Sequence, residues 1–410
     1  MPTNQEILTT AEALLSRRFG GTQALTGHEE LSGSGNAIVL RGKLAANPFL
    51  PERSVVVKYV PVTDDALDDA ALVRELVAYQ FTTSLGEAER PGPVLLAYDV
   101  ADRIIVISDS GNGDTFAELL ATGDAEQRVH ILRNLGEALG LMHAGTASRE
   151  SDFEALRARM ARQHPKAFHI NRYRTKAKEH AILHGVALLR DAGITVPDGV
   201  EALAREAVRR LRGGQRAFTP FDLSPDNIIV AQRTHFLDYE WAGFRDTAYD
   251  LGSVIAGFPQ FLLSRPISDD EADVFLEAWA NKVGSIWPDA RDEDALQLRL
   301  VTALLGLALT EVTVLHLGTT HNLVHEVAAS AGEADLISLQ PEDITPVSRL
   351  FAPAGSTPLS RSEAILRRDL FDTFEALARY AVRAADPRLG VVARFADEIA
   401  ALLNDAGAEE

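Results

Sequence analysis

The chain has 410 residues, 46% hydrophobic and 24% charged, which is room for two or three core-bearing units of ordinary globular composition. Its formal net charge of −19 argues against sequence-independent nucleic-acid binding, and its lack of cysteine excludes disulfides, thiolate metal sites and cysteine nucleophiles. The opening MPTNQEILTTAEALL lacks the basic and apolar blocks of a signal peptide, and the most apolar stretch, residues 301–318, carries Glu311. The expectation is a cytoplasmic protein with a buried core helix there and no membrane partner.

Residues 4–19 read as a helix with Ile7, Leu8, Ala11, Leu14 and Leu15 on one face and Gly20-Gly21 behind it. The stretch 31–44, LSGSGNAIVLRGKL, is a glycine-rich turn running into a strand. It is neither a P-loop nor a full G-x-G-x-x-G, so a hairpin turn is the simplest reading of Gly33 and Gly35. Residues 53–60, RSVVVKYV, form a strand in which Lys58 shares a face with Val56 and Val60. A lysine so placed is costly to bury without a partner. The next helix, 64–85, offers one. Capped by Asp64 or Asp65, it turns Leu72, Leu76 and Tyr79 inward, and Glu75 lies on the same face. Residues 94–100 and 103–109 make a hairpin about Ala101-Asp102, whose second arm runs out into small polar residues. Residues 115–120 and 125–144 are helical by pattern.

Residues 146–215 contain charge-rich helices. The basic run from Arg157 to Lys178 reads as a solvated helix face, with a docking surface for an anionic ligand or a partner as the alternative. The stretch 219–250, TPFDLSPDNIIVAQRTHFLDYEWAGFRDTAYD, carries the chemistry. Asp222 sits in a loop broken by Pro220 and Pro225, and Asn227 leads into the apolar run 228–231. Gln232-Arg233 turns the chain back through His235 to Asp238. An antiparallel hairpin whose facing residues sum to about 465 sets Asn227 across from Asp238, with Asp222 just before it. Two such oxygen ligands suit Mg²⁺, and a carboxylate beside it can receive the proton of an attacking hydroxyl. Phosphoryl transfer follows as the reaction class. Beyond Asp250, apolar periodicity predicts helices over 271–287, 296–317 and 364–385, and residues 328–362 read as a long loop or insertion. His316, His321 and His325 fit no H-E-x-x-H pattern and read as surface or satisfied histidines rather than metal ligands.

The stretch 219–250 resembles the catalytic loop of the aminoglycoside phosphotransferase and choline kinase-like family, H-x-D-x-x-x-x-N followed by D-x-[DE]. The resemblance implies that Asp222 is the catalytic aspartate, Asn227 and Asp238 the metal ligands, and Asp250 an aspartate supporting the loop. It departs at the histidine position, where this chain has Pro220 followed by Phe221. The resemblance further implies a nucleotide loop at Gly33, Gly35 and Asn36, a Lys58–Glu75 ion pair held against nucleotide phosphates, and an adenine-binding hinge at Ser108, Asp109 and Ser110. The expected fold is α+β, two-lobed and kinase-like, with residues 1–108 as the nucleotide-binding lobe and 109–410 as a helical lobe carrying the catalytic loop. The expected activity is transfer of the γ-phosphate of ATP, with Mg²⁺, to a hydroxyl of an aminoglycoside- or amino-alcohol-like small molecule. A catalytically impaired scaffold, and a kinase acting on a peptide side chain with a partner enzyme, are the alternatives.

Overall fold

The computed structural model describes residues 1–31, 37–63, 65–261, 265–337, 339–340, 344–353 and 358–404. Helix α1 (Asn4–Phe19) starts at a Thr3/Glu6 capping box and buries Ile7, Leu8, Ala11, Leu14 and Leu15. Strands β1 (Leu25–Leu31), β2 (Ile38–Leu44), β3 (Ser54–Tyr59), β4 (Leu95–Asp99) and β5 (Ile104–Ser108) form one antiparallel sheet in the order β1-β2-β3-β5-β4. Helix α2 (Ala66–Thr83) is inserted between β3 and β4, and Asp65 caps it by accepting from the Leu67 N–H at 2.8 Å. Two-residue alternation sorts the sheet's side chains. On β5, Ile104 and Val106 pack with α1, whereas Ile105 and Ile107 belong to the core that contains Leu72 and Leu76 of α2. The β4–β5 turn falls at the expected place, where the Asp99 carboxylate accepts from the N–H groups of Ala101 (2.8 Å) and Asp102 (3.1 Å).

The chain then enters a helical lobe through β6 (Asp114–Thr115), α3 (Phe116–Thr122), α4 (Ala125–Thr146), α5 (Glu150–Gln163), α6 (Pro165–Asp191) and α7 (Asp198–Arg212). Four short strands carry the site: β7 (Arg216–Thr219), β8 (Ile228–Val230), β9 (Thr234–Phe236) and β10 (Gly243–Asp246). β7 pairs with β10, and β8 lies between β6 and β9. Six further helices follow α8 (Ala248–Ile255) among the described residues: α9 (Asp269–Val283), α10 (Glu293–Leu317), α11 (Thr320–Ser330), α12 (Val347–Leu350), α13 (Arg361–Arg383) and α14 (Leu389–Leu403). The structure is thus α+β, a small antiparallel-sheet lobe beside a larger helical one.

Helix α10 is long and apolar enough to cross a membrane by length and composition, yet 83% of its apolar window is buried inside the fold. It packs on α6 so closely that a Cβ at Gly185 would stand 2.2 Å from the Leu309 carbonyl oxygen. Two sequence expectations change here. Residues 328–362 are not a plain loop: their described part includes α12 and buries Ile337, Val347, Leu350 and Phe351 in the main core. The basic run on α5 and α6 is solvated only in part, because Arg174 and Lys178 are buried. Their alkyl stems reach inward on the α6 face that also buries Ile170 and Ala177, a face that reading charge alone could not find.

Candidate active site

A cleft of about 770 Å³ opens between the sheet lobe and the β7–β10 region, and Lys58, Glu75, Asp222, Asn227 and Asp238 all line it. The loop that carries Asp222 leaves β7 through the buried Pro220. Phe221 then takes a left-handed φ of 69°, which redirects the chain before Asp222. The Ser224 N–H donates to Asp222 Oδ1 at 3.2 Å, and a single 3₁₀ turn, Pro225–Asn227, delivers Asn227 to the start of β8. Burial pushes the Asp222 carboxyl up; the Ser224 N–H pulls against it, and the charges of Asp238 and Glu240 add to the rise.

The β8–β9 hairpin forms, but its register is one residue shorter than expected. Ile228 faces Phe236, Ile229 faces His235 and Val230 faces Thr234. Asn227 therefore stands opposite Leu237, whose N–H donates to the Asn227 carbonyl at 2.8 Å. Asp238 is the next residue, at a left-handed φ of 56°. The sequence shows the two apolar arms but not where the turn closes, and a turn tighter by one residue shifts every pair.

Lys58 joins the two lobes. Its Nζ donates to Glu75 Oε1 (2.9 Å) and Oε2 (3.0 Å) and to Asp238 Oδ1 (3.3 Å). Burial opposes the charge on Lys58, but the carboxylates of Glu75 and Asp238 outweigh it and raise its pKa above the ordinary lysine value. The strand explains the placement: Val55, Val57 and Tyr59 point into the core, so Lys58 lies with Val56 on the half-buried cleft face. Glu75 is buried where the α2 stripe predicts, and Arg74 turns away from it to donate to the Ala242 carbonyl at 3.1 Å.

Ser108, Asp109 and Ser110 line the cleft at the end of β5. The Asp109 carboxylate is taken by Ser54 Oγ at 2.7 Å and Arg41 Nε at 3.0 Å, which fixes this segment. Gly33, Gly35 and Asn36 lie outside the described residues. His316 is taken by the Thr345 carbonyl at 2.8 Å and His321 lies 2.8 Å from Asp65, so the three C-terminal histidines do not gather. Among the described residues, the histidine-containing cluster is instead His180 and His184 about Glu326, which ties α11 to α6.

Two features escape the sequence. His143 on α4 stands 3.2 Å from Asp250 Oδ2, and the Trp279 N–H donates to its Nδ1 at 3.0 Å. Because an indole nitrogen only donates, Nδ1 accepts and Nε2 carries the proton given to Asp250. Asp250 is thus buried and held from α4 and α9, elements far from it in the chain. The second is a grip on Phe221. Lys178 Nζ sits 3.4 Å from its ring centroid and the Arg245 guanidinium 4.0 Å, so cation–π contacts hold the loop whose histidine is replaced by Pro220. Phe221 occupies a variable position of the motif and carried no signal.

A carboxylate-anchored lysine, two acids and an asparagine lining one cleft form a set of groups suited to phosphoryl transfer. Residues 70–296 match the phosphotransferase enzyme family, APH, and the chain belongs to that family. No curated protein matches. Among solved structures, the chain is similar to a choline/ethanolamine kinase family protein from Mesorhizobium loti, at 14% identity, covering 95% of this chain and 99% of that one with a TM-score of 0.42. It is similar also to choline kinase from Cryptosporidium parvum Iowa II, at 10% identity, 85% and 99% coverage and a TM-score of 0.44. The streptomycin–ATP complex of APH(2")-IIa matches at 12% identity, 82% and 100% coverage and a TM-score of 0.44. The family assignment rests on the sequence match, to which structural likenesses of this size add nothing.

Proposed function

We propose that the protein transfers the γ-phosphate of ATP to a hydroxyl group of an aminoglycoside- or amino-alcohol-like small molecule. The observation that carries this reading is the bridge from Lys58 to Glu75 and Asp238, made in the same cleft that Asp222 and Asn227 line. Residues 1–108 form the nucleotide-binding lobe and residues 109–410 the lobe that supplies the catalytic loop and the acceptor site. In this scheme Lys58 neutralises nucleotide phosphate charge, and Glu75 holds it in place. Ser108, Asp109 and Ser110 border the base through backbone groups. Asp222 orients the acceptor hydroxyl and takes its proton. Asn227 and Asp238 offer hard oxygen donors to the same cleft, a donor set that fits Mg²⁺. When bound, that ion compensates charge on the transferring phosphate.

The test is thermal unfolding with ATP, with and without Mg²⁺. Stabilisation that needs Mg²⁺, and that Asp238→Ala removes, supports the assignment. Equal shifts with and without the metal would reject Asn227 and Asp238 as its ligands.

A further inference from the structure

A second, half-open cavity of about 480 Å³ is lined by α2, α5, α6, the end of α7 and the β7–β10 pair. Arg157, Arg212 and Arg216 stand around it, each facing a glutamate: Glu154, Glu179 and Glu150 respectively. Arg74, Lys178 and Arg245 are different. All three line the cavity, and Lys178 and Arg245 are more than nine-tenths buried. Among the described residues, none of the three forms an ion pair with a carboxylate. Their protein partners are neutral: Arg74 donates to the Ala242 carbonyl, Lys178 to the Trp241 carbonyl at 3.2 Å, and Arg245 to Thr219 Oγ1 at 2.8 Å.

Three cations lining one half-open cavity repel each other, and the burial of Lys178 and Arg245 strips away part of the water that would screen them. Burial pulls Arg74 down to about 9, with Arg174 and Arg157 adding to the fall, and it pulls Lys178 and Arg245 well below their usual values. The three glutamates that line the cavity, Glu150, Glu154 and Glu179, are each paired with another arginine, and none forms an ion pair with Arg74, Lys178 or Arg245. Carbonyls and aromatic rings alone would serve a structural clamp around Trp241 and Phe221, but a clamp needs no cavity and no third cation.

We propose that this cavity is a binding site for a small oxyanion ligand, one carrying phosphate or several carboxylates, held by Arg74, Lys178 and Arg245. Arginine forks and a lysine suit such groups, and the ligand completes the charge that the fold leaves open. The site lies one helix face away from Glu75, and two of its cations grip the residue before Asp222. It is independent of the acceptor and nucleotide reading above.

Thermal unfolding and calorimetric titration of the full chain with sodium pyrophosphate and with citrate, without Mg²⁺ and at constant ionic strength, test it. Saturable stabilisation by several degrees is expected in the wild type and in Lys58→Ala, which leaves this cavity intact. A response to pyrophosphate alone assigns a phosphate-bearing ligand; a response to both assigns the site to anionic charge at large. Lys178→Met and Arg74→Gln should weaken binding at least ten-fold. Thr175→Glu is the sharper variant, because Thr175 is exposed on the cavity wall. Its carboxylate should raise the anion-free melting temperature and abolish the response. No saturable response in the wild type, a response lost in Lys58→Ala but kept in Thr175→Glu, or a lowered melting temperature in Thr175→Glu would each overturn the proposal.

Discussion

At the scale of single residues, Asp222 sets the terms. Its folded-state pKa is raised by burial, so protonation of Asp222 favours the folded state. That contribution is full below the ordinary aspartate value and is lost as pH rises through the raised one. Two outcomes follow. The acidic limb of kcat/KM should lie above the ordinary aspartate range, because the base must be ionised to accept a proton. Asp222→Asn should melt higher than wild type at neutral pH while losing transfer, on the order of 10²-fold or more. A lower melting temperature for Asp222→Asn at neutral pH would show that the ionised carboxylate stabilises the loop instead. Lys58 is the other residue to probe. Lys58→Ala should weaken nucleotide use at least ten-fold, whereas Lys166→Ala, at the exposed start of α6, should not change it. Comparable losses in steady-state kinetics would remove the reason for preferring the strand lysine.

At the scale of elements, what the sequence showed and what it hid divide by distance along the chain. The helix stripes of α1 and α2, the β4–β5 turn and the inward Glu75 are local patterns, and each appears where periodicity placed it. The register of β8 and β9 depends on a turn that propensity does not fix, and it slipped by one residue. The His143–Asp250 contact spans 107 positions and leaves no local trace. The same holds for two buried acids on separate helices, Glu311 of α10 and Asp369 of α13. Burial pushes Glu311 up and Asp369 up to about 6, and Asp369 Oδ2 accepts from the Gln260 N–H at 2.7 Å beside the cleft. Both pKa values are raised, so the stability these groups contribute is full below the ordinary carboxylate range and is lost as pH rises through the raised values, about 6 for Asp369. Asp369→Asn should therefore melt higher than wild type at pH 8 and differ little at pH 5. A melting curve whose difference is the same at both pH values would contradict that sign.

At the scale of the whole molecule, the two lobes meet where Lys58 of the sheet reaches Asp238 of the hairpin, and the chemistry assigned to the cleft depends on that meeting. The α+β, two-lobed architecture was legible because a strand lysine, a helix glutamate and a loop of spaced acids come in a fixed order. The acceptor was not legible, since the helices that bound its site differ from other amphipathic helices only by packing. The most direct test of the central claim is transfer of labelled γ-phosphate from ATP in the presence of Mg²⁺ across a panel of amino alcohols, aminoglycosides, nucleosides and peptides, run beside Asp222→Asn. The account predicts transfer to a hydroxyl of at least one small amine-bearing acceptor, falling on the order of 10²-fold or more in Asp222→Asn. Transfer that survives Asp222→Asn unchanged, or that reaches only the peptides, would contradict it.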